Sequence, residues 1–225
     1  MKFFVDTADL DEIQEANAMG VLDGVTTNPS LMKKVGNVDF HEHIYKICEM
    51  VDGDVSAEVT ATDFDGIMEE GRALSRIHEN VVVKVPMIVE GVKAIHSLAE
   101  EGIRTNCTLC FSATQVLIAA KAGATYISPF IGRIDDISSN GMELIDQSVQ
   151  LIDNYDFDAE ILAASIRHPM HVVESSMMGA DVATMPLSVI KKLTKHPLTD
   201  KGLDAFLADW KDFEDAQKEE AGLSA

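Results

Sequence analysis

Lys84 stands in the run Val81-Val82-Val83-Lys84-Val85-Pro86, where every other residue before the proline is β-branched. Such a run reads as a short, well-buried strand that Pro86 stops. A cationic amine there is costly unless it is paired, ends in a polar cavity, or gives up its proton. The last course is the chemically useful one, because a neutral amine attacks a carbonyl to form a Schiff base. The alternative is a lysine at a strand end that packs its stem and snorkels to water. The other strand-like runs decide between them, because they too end in polar residues. These are Asp6, Thr26 and Asn28, Glu58, Asn106 and Thr108, Ser128 with Arg133 just beyond, and Ser165 with Arg167. Each alone reads as a helix cap or turn residue. Six strands offering polar tips around one lysine read as a cavity.

Each residue type has a use there. An imine on Lys84 stores positive charge and draws electrons, so a neighbouring C–C bond breaks to a stabilised enamine. Asp6 or Glu58 is the candidate base on the hydroxyl that starts the cleavage. Glu58, Thr108 and a bound water are candidates for the proton donor in carbinolamine dehydration. Asn28, Asn106 and Ser128 are suited to holding hydroxyls or the imine. Arg133 and Arg167, with Ser165, are suited to gripping phosphate. Strand side chains alternate, so Asn28 shares a face with Thr26, Thr108 with Asn106, and Phe130 with Ser128.

The elements that must position these residues alternate strictly. Strands are predicted near 3–6, 24–28, 54–59, 81–85, 103–108, 125–130, 160–165 and 181–186. Helices fall between them, at about 10–19, 40–50, 63–79, 89–101, 112–122, 140–153, 168–178 and 187–193. Strict alternation demands a parallel sheet, and eight repeats at this length point to a closed (β/α)8 TIM barrel. Its active site would lie at the C-terminal ends of the strands, where the polar residues stand. No G-x-G-x-x-G, P-loop or H-E-x-x-H occurs. The chain divides into a catalytic barrel over 1–195 and a terminal helix with its tail over 196–225. In that helix, about 199–218, Leu203, Phe206, Leu207, Trp210 and Phe213 form an apolar stripe that requires a partner, the chain's own barrel or another subunit.

Composition narrows the function classes. Eighteen Lys and Arg stand against 38 Asp and Glu, for a formal charge of -20, and such a surface repels nucleic acid and anionic membranes. A phosphate site must therefore be built locally. The apolar run at the N-terminus is too short for a signal peptide, and no uncharged stretch approaches membrane-spanning length. Three cysteines make no disulfide framework, so a cytoplasmic protein is expected. Cys107 and Cys110 form a C-x-x-C, but a strand pattern runs straight into it, and the pair reads as packed core rather than a redox motif. His41 and His43, like His168 and His171, lack a third ligand nearby and read as solvated helix residues, not as a metal site.

Several segments together resemble the transaldolase family. They are V-D-T-A at 5–8, G-V-T-T-N-P-S at 24–30, the Glu58 strand, V-V-K-V-P at 82–86, N-C-T-L-C-F-S at 106–112, I-S-P-F-I-G-R at 127–133 and A-A-S-I-R at 163–167. The resemblance runs from Met1 to about Leu193, and length and the single trailing helix are similar to its small bacterial branch, which includes fructose-6-phosphate aldolases. It implies a (β/α)8 barrel with the imine on Lys84 and Asp6 as base for C–C cleavage. It further implies an acid–base relay of Glu58, Thr108 and water, phosphate contacts from Arg133, Ser165 and Arg167, and no metal or organic cofactor. The implied reaction carries a dihydroxyacetone unit between sugar phosphates. In the pentose phosphate pathway it converts sedoheptulose 7-phosphate and glyceraldehyde 3-phosphate to erythrose 4-phosphate and fructose 6-phosphate.

The alternatives are an aldolase that releases free dihydroxyacetone from fructose 6-phosphate, and a catalytically idle barrel that binds sugar phosphate. The aldolase branch typically has glutamine at position 58 and tyrosine at position 130, so Glu58 and Phe130 favour transfer over release. The resemblance also implies a decamer of two stacked five-subunit rings, with the last helix reaching onto a neighbour.

Overall fold

The computed structural model describes residues 1–220 and 222. Eight strands run through the chain: β1 (Lys2–Asp6), β2 (Gly24–Thr26), β3 (Asp54–Glu58), β4 (Val81–Pro86), β5 (Thr105–Cys110), β6 (Tyr126–Pro129), β7 (Glu160–Ala163) and β8 (Val182–Met185). Each pairs in parallel with the next and β8 closes onto β1, so the expected TIM barrel is present. The helices that follow the strands are α1 (Leu10–Ala18), α2 (Pro29–Val35), α3 (Phe40–Met50), α4 (Phe64–Ser75), α5 (Val89–Glu100), α6 (Ala113–Ala122), α7 (Ile131–Asp135), α8 (Gly141–Tyr155), α9 (Pro169–Met177) and α10 (Leu187–Leu193). A long helix, α11 (Pro197–Glu220), ends the described chain.

Five helix starts follow from their capping residues. Asp9, Asp39, Asp63, Ser112 and Asn140 each accept a backbone N–H of the first turn. Two short helices, α2 and α7, stand where the sequence predicted only connections. β5 also differs from expectation: it runs to Cys110, with a register shift after Cys107 and Leu109 at φ 62°.

The barrel interior is layered by the two-residue period of the strands. Phe4, Val82, Tyr126, Leu162 and Val182 form a buried apolar floor. Two residues further along β1, β4, β6 and β8 stand Asp6, Lys84, Ser128 and Thr184, so the polar layer rests directly on the apolar one. Gly24 makes room for the floor, since a Cβ there would lie 2.6 Å from the Phe4 ring. Val83 and Val85 are fully buried on the opposite face of β4, under the helices.

The chain forms two compact units, one over Met1–Ile190 and a second beginning at Lys191. Of the terminal segment expected over 196–225, residues 221 and 223–225 lie outside the described residues. On α11, Leu203, Phe206, Leu207, Trp210 and Phe213 are each at least half exposed. Among the described residues, no helix is long and apolar enough to cross a membrane.

Candidate active site

Lys84 is 5% exposed, which removes the reading of an amine snorkelling to water. Its Nζ lies 2.9 Å from Glu58 Oε2 and donates to the Thr27 carbonyl at 3.0 Å. The pairing register explains the contact, because Glu58 and Lys84 are directly opposed across β3 and β4. Buried cations persist when paired and hydrogen-bonded, and both conditions hold here.

Asp6 is reached from the other side. Its Oδ1 accepts from Thr26 Oγ1 at 2.8 Å, and Thr184 Oγ1 is hydrogen-bonded to the same hydroxyl. Burial pushes the Asp6 carboxyl above its usual range, against the pull of the Lys84 charge, the Thr26 hydrogen bond and the Lys34 charge. A carboxylate moved in that direction is a stronger base. Thr108 is also buried, and its Oγ1 has no hydrogen-bond partner among the described residues. An unspent hydroxyl on the wall of a polar cavity is suited to holding a water or substrate oxygen.

Eleven of the twelve predicted site residues line one cavity of about 530 Å³. It joins Lys84, Asp6, Glu58 and Thr108 to Thr26, Asn28, Ser128, Phe130, Arg133, Ser165 and Arg167. Asn106 is the exception. It is fully buried beneath the wall, donating to Ser56 Oγ at 3.1 Å and accepting from Ser128 Oγ at 2.7 Å. Its place is to orient Ser128 from below. Asn28 is partly occupied as the N-cap of α2, where its side chain accepts from Leu31 N–H at 3.0 Å.

The two arginines occupy the far side of the cavity. Arg133 rides on α7, its guanidinium 5.2 Å from the Phe130 ring centroid, and Phe130 packs edge-on to Phe111. Arg167 is paired with Asp136 at 2.8 Å. A larger cavity, about 660 Å³, shares Asn28 and Glu58; apolar side chains, His41, Thr60, Glu69 and Glu70 wall it, and among the described residues no arginine or lysine lines it. Its carboxylates disfavour anions, whereas the smaller cavity carries Lys34, Lys84, Arg133 and Arg167.

Residues that sequence reasoning missed are Thr27, through its carbonyl, and Ser56, Thr184 and Lys34. Thr184 carried a readable signal, a polar residue one turn of the pleat above apolar Val182. Lys34 did not, because it sits on the unforeseen α2. The histidines require a correction. His43 and His171 are buried rather than solvated, at 5% and 4% exposure. His43 Nε2 meets the Ala8 carbonyl at 2.7 Å and His171 Nε2 meets Asp135 Oδ2 at 2.8 Å, partners far away in sequence. Cys107 and Cys110 are buried free thiols, Sγ to Sγ 3.9 Å, as a packed pair should be. Among the described residues, no group of three or more His, Cys, Asp or Glu side chains is arranged to hold a metal ion.

Comparison with known proteins agrees with this geometry. The family model described as Transaldolase/Fructose-6-phosphate aldolase matches residues 3–222. A "Probable transaldolase" of Cytophaga hutchinsonii is 61% identical, the match covering 94% of this chain and 98% of that one. Another protein with that name, from Myxococcus xanthus, is 56% identical over 97% of this chain and 98% of its own. Among solved structures, inosine 5′-monophosphate dehydrogenase from Legionella pneumophila superposes with a TM-score of 0.56 at 14% identity, covering 82% of this chain and 58% of that chain. At that identity it supports the barrel fold alone.

Proposed function

The chain belongs to the transaldolase/fructose-6-phosphate aldolase family, and from that premise we propose that it is a transaldolase working through an imine on Lys84. The observation that carries the reading is the placement of the Lys84 amine. It lies 2.9 Å from a carboxylate, in a cavity that also holds Asp6 and two arginines. Sedoheptulose 7-phosphate or fructose 6-phosphate enters with its phosphate against Arg133, Ser165 and Arg167. Lys84 passes a proton to Glu58 and attacks the C2 carbonyl. Glu58, through a water held by Thr108, protonates the carbinolamine hydroxyl, which leaves as water and gives the imine. Asp6 takes the proton from the C4 hydroxyl, the C3–C4 bond breaks, and the aldose phosphate departs. The electron pair of that bond becomes an enamine on Lys84. Asn28 and Ser128, the latter oriented by Asn106, hold the hydroxyls of the three-carbon unit. A second aldehyde, glyceraldehyde 3-phosphate or erythrose 4-phosphate, then takes up that unit by the reverse steps.

Phe130 favours transfer over release. It carries no hydroxyl to hold a water that would protonate the enamine, and its ring is engaged by Phe111 and Arg133. The deciding assay incubates fructose 6-phosphate with and without erythrose 4-phosphate. Product that requires the acceptor supports transfer. Dihydroxyacetone formed without acceptor identifies an aldolase, and no turnover in either arm identifies an idle barrel. Borohydride in the presence of fructose 6-phosphate should fix a three-carbon unit on Lys84. Label on a different lysine would overturn the mechanism.

The acidic chain assembles into a homo-oligomer, a decamer in our reading, with the α11 stripe as the contact between subunits. Five large apolar side chains, each at least half exposed on one helix, support it.

A further inference from the structure

The loop that follows β7 carries Ser165 and Arg167, and it is held in an unusual shape. Ser165 has φ 62°, in the left-handed region that a non-glycine residue seldom adopts. Such a conformation persists only where the surroundings over-determine it. Two contacts do so here, and both lead to α7. At Gly132 a Cβ would lie 2.1 Å from the Ser165 carbonyl oxygen and 2.7 Å from Arg167 Nε, so the loop lies flat against the helix. The second contact runs through His171. The Arg167 backbone N–H donates to His171 Nδ1 at 3.3 Å, and His171 Nε2 lies 2.8 Å from Asp135 Oδ2. Asp135 Oδ1 also accepts the Gly141 N–H at 2.9 Å, which fixes the end of α7 to the start of α8.

These partners set the state of the imidazole. Nδ1 accepts a backbone N–H and must be bare, so the single proton is on Nε2 and points at Asp135. Burial acts in the same sense by disfavouring the charged ring, with the neighbouring His168 adding to it. The ring is 4% exposed and is absent from the cavity wall, so it does not touch substrate. What it touches is the frame of the two arginines. Arg133 belongs to α7, Arg167 is tied to α7 through His171, and the Arg167 guanidinium is paired with Asp136 at the helix end.

We propose that His171, backed by Asp135, is a positioning residue that locks the Ser165–Arg167 loop onto α7, so that Arg133 and Arg167 present one preformed phosphate grip. This rests on reading those two arginines as the phosphate contacts, and the experiment separates the two ideas. Inorganic phosphate is the probe, measured as a competitive inhibitor, beside the KM for fructose 6-phosphate. Arg167→Ala tests the underlying reading and should weaken phosphate inhibition about tenfold or more. His171→Leu should raise both the phosphate Ki and the KM about fivefold to tenfold, while the effect on kcat stays within about twofold. His171→Gln, which keeps one acceptor and one donor, should recover most of the loss. If His171→Leu folds poorly, Asp135→Ala removes the backing from outside the cavity and should shift Ki and KM in the same direction. A purely structural histidine would change the yield of active enzyme or the melting temperature and leave Ki and KM alone. That result with both variants overturns the proposal while leaving the arginine grip intact. An unchanged Ki in Arg167→Ala overturns the grip and the proposal together.

Discussion

At the scale of single residues, the site places one carboxylate against the lysine and raises the other. Glu58 is spent on Lys84, whereas Asp6 is kept apart and pushed towards protonation by burial. The direction fixes a pH dependence of stability. Below the ordinary value of 3.8, Asp6 is protonated in both the folded and unfolded chain. Between that value and the raised folded one, the folded chain binds the extra proton. Above both, the ionised carboxylate costs the fold free energy, so this contribution falls as pH rises through the window. Asp6→Asn keeps an acceptor for Thr26 and removes the charge. It should therefore melt higher than the parent at pH 7 to 8, with the gain shrinking in acid, while activity falls by a factor on the order of 10²–10⁴. A gain that is the same at all pH values would mean that the charge is not its source. Phe130→Tyr combined with Glu58→Gln should raise free dihydroxyacetone relative to transfer product. A product ratio equal to the parent's would show that these two positions do not set the outcome.

At the scale of elements, what was legible in the sequence is what repetition makes legible. β-Branched runs closed by proline or a polar tip marked the strands, and eight of them in alternation with helices left few topologies besides the barrel. Polar residues at the C-terminal ends of those runs then marked one mouth of the barrel, which is why Lys84, Asp6, Glu58 and Thr108 group together in the sequence. α2 was not legible because none of its seven residues is buried, so it shows no apolar period, and α7 was not because five residues span little more than one turn. The burial of His43 and His171 was not legible either, since it depends on Ala8 and Asp135, which only the closed barrel brings near. Gly132 tests the α7 contact. A methyl group there would meet the Ser165 carbonyl, so Gly132→Ala forces two backbone segments apart. The expected cost is about 1–3 kcal/mol, or a melting temperature lower by about 2–4 °C per kcal/mol. The KM for phosphorylated substrate should rise, while borohydride still traps unphosphorylated dihydroxyacetone on Lys84. Loss of stability with unchanged KM would separate α7 from the phosphate grip.

At the scale of the whole molecule, charge and apolar surface pull in opposite directions. Each chain carries a formal charge of -20, which drives copies apart at a range of roughly 10 Å at 0.1 M salt. The terminal helix adds to the repulsion, with eight carboxylates and three lysines over 197–220. Yet Leu203, Phe206, Leu207, Trp210 and Phe213 are at least half exposed on it, with the Trp210 and Phe213 ring centroids 5.4 Å apart. Covering a large apolar side chain is worth roughly 1.5–3 kcal/mol, so five per subunit outweigh a repulsion that salt readily screens. If the stripe is the contact between subunits, added salt must strengthen the assembly, because it removes the opposing term and leaves the apolar one. Light scattering at low protein concentration should therefore give a higher mass at about 0.5 M than at about 0.05 M salt, and truncation after Pro197 should lower the mass at both. Dissociation on adding salt would mean that ion pairs hold the subunits. An unchanged mass after truncation would remove α11 from the contact altogether.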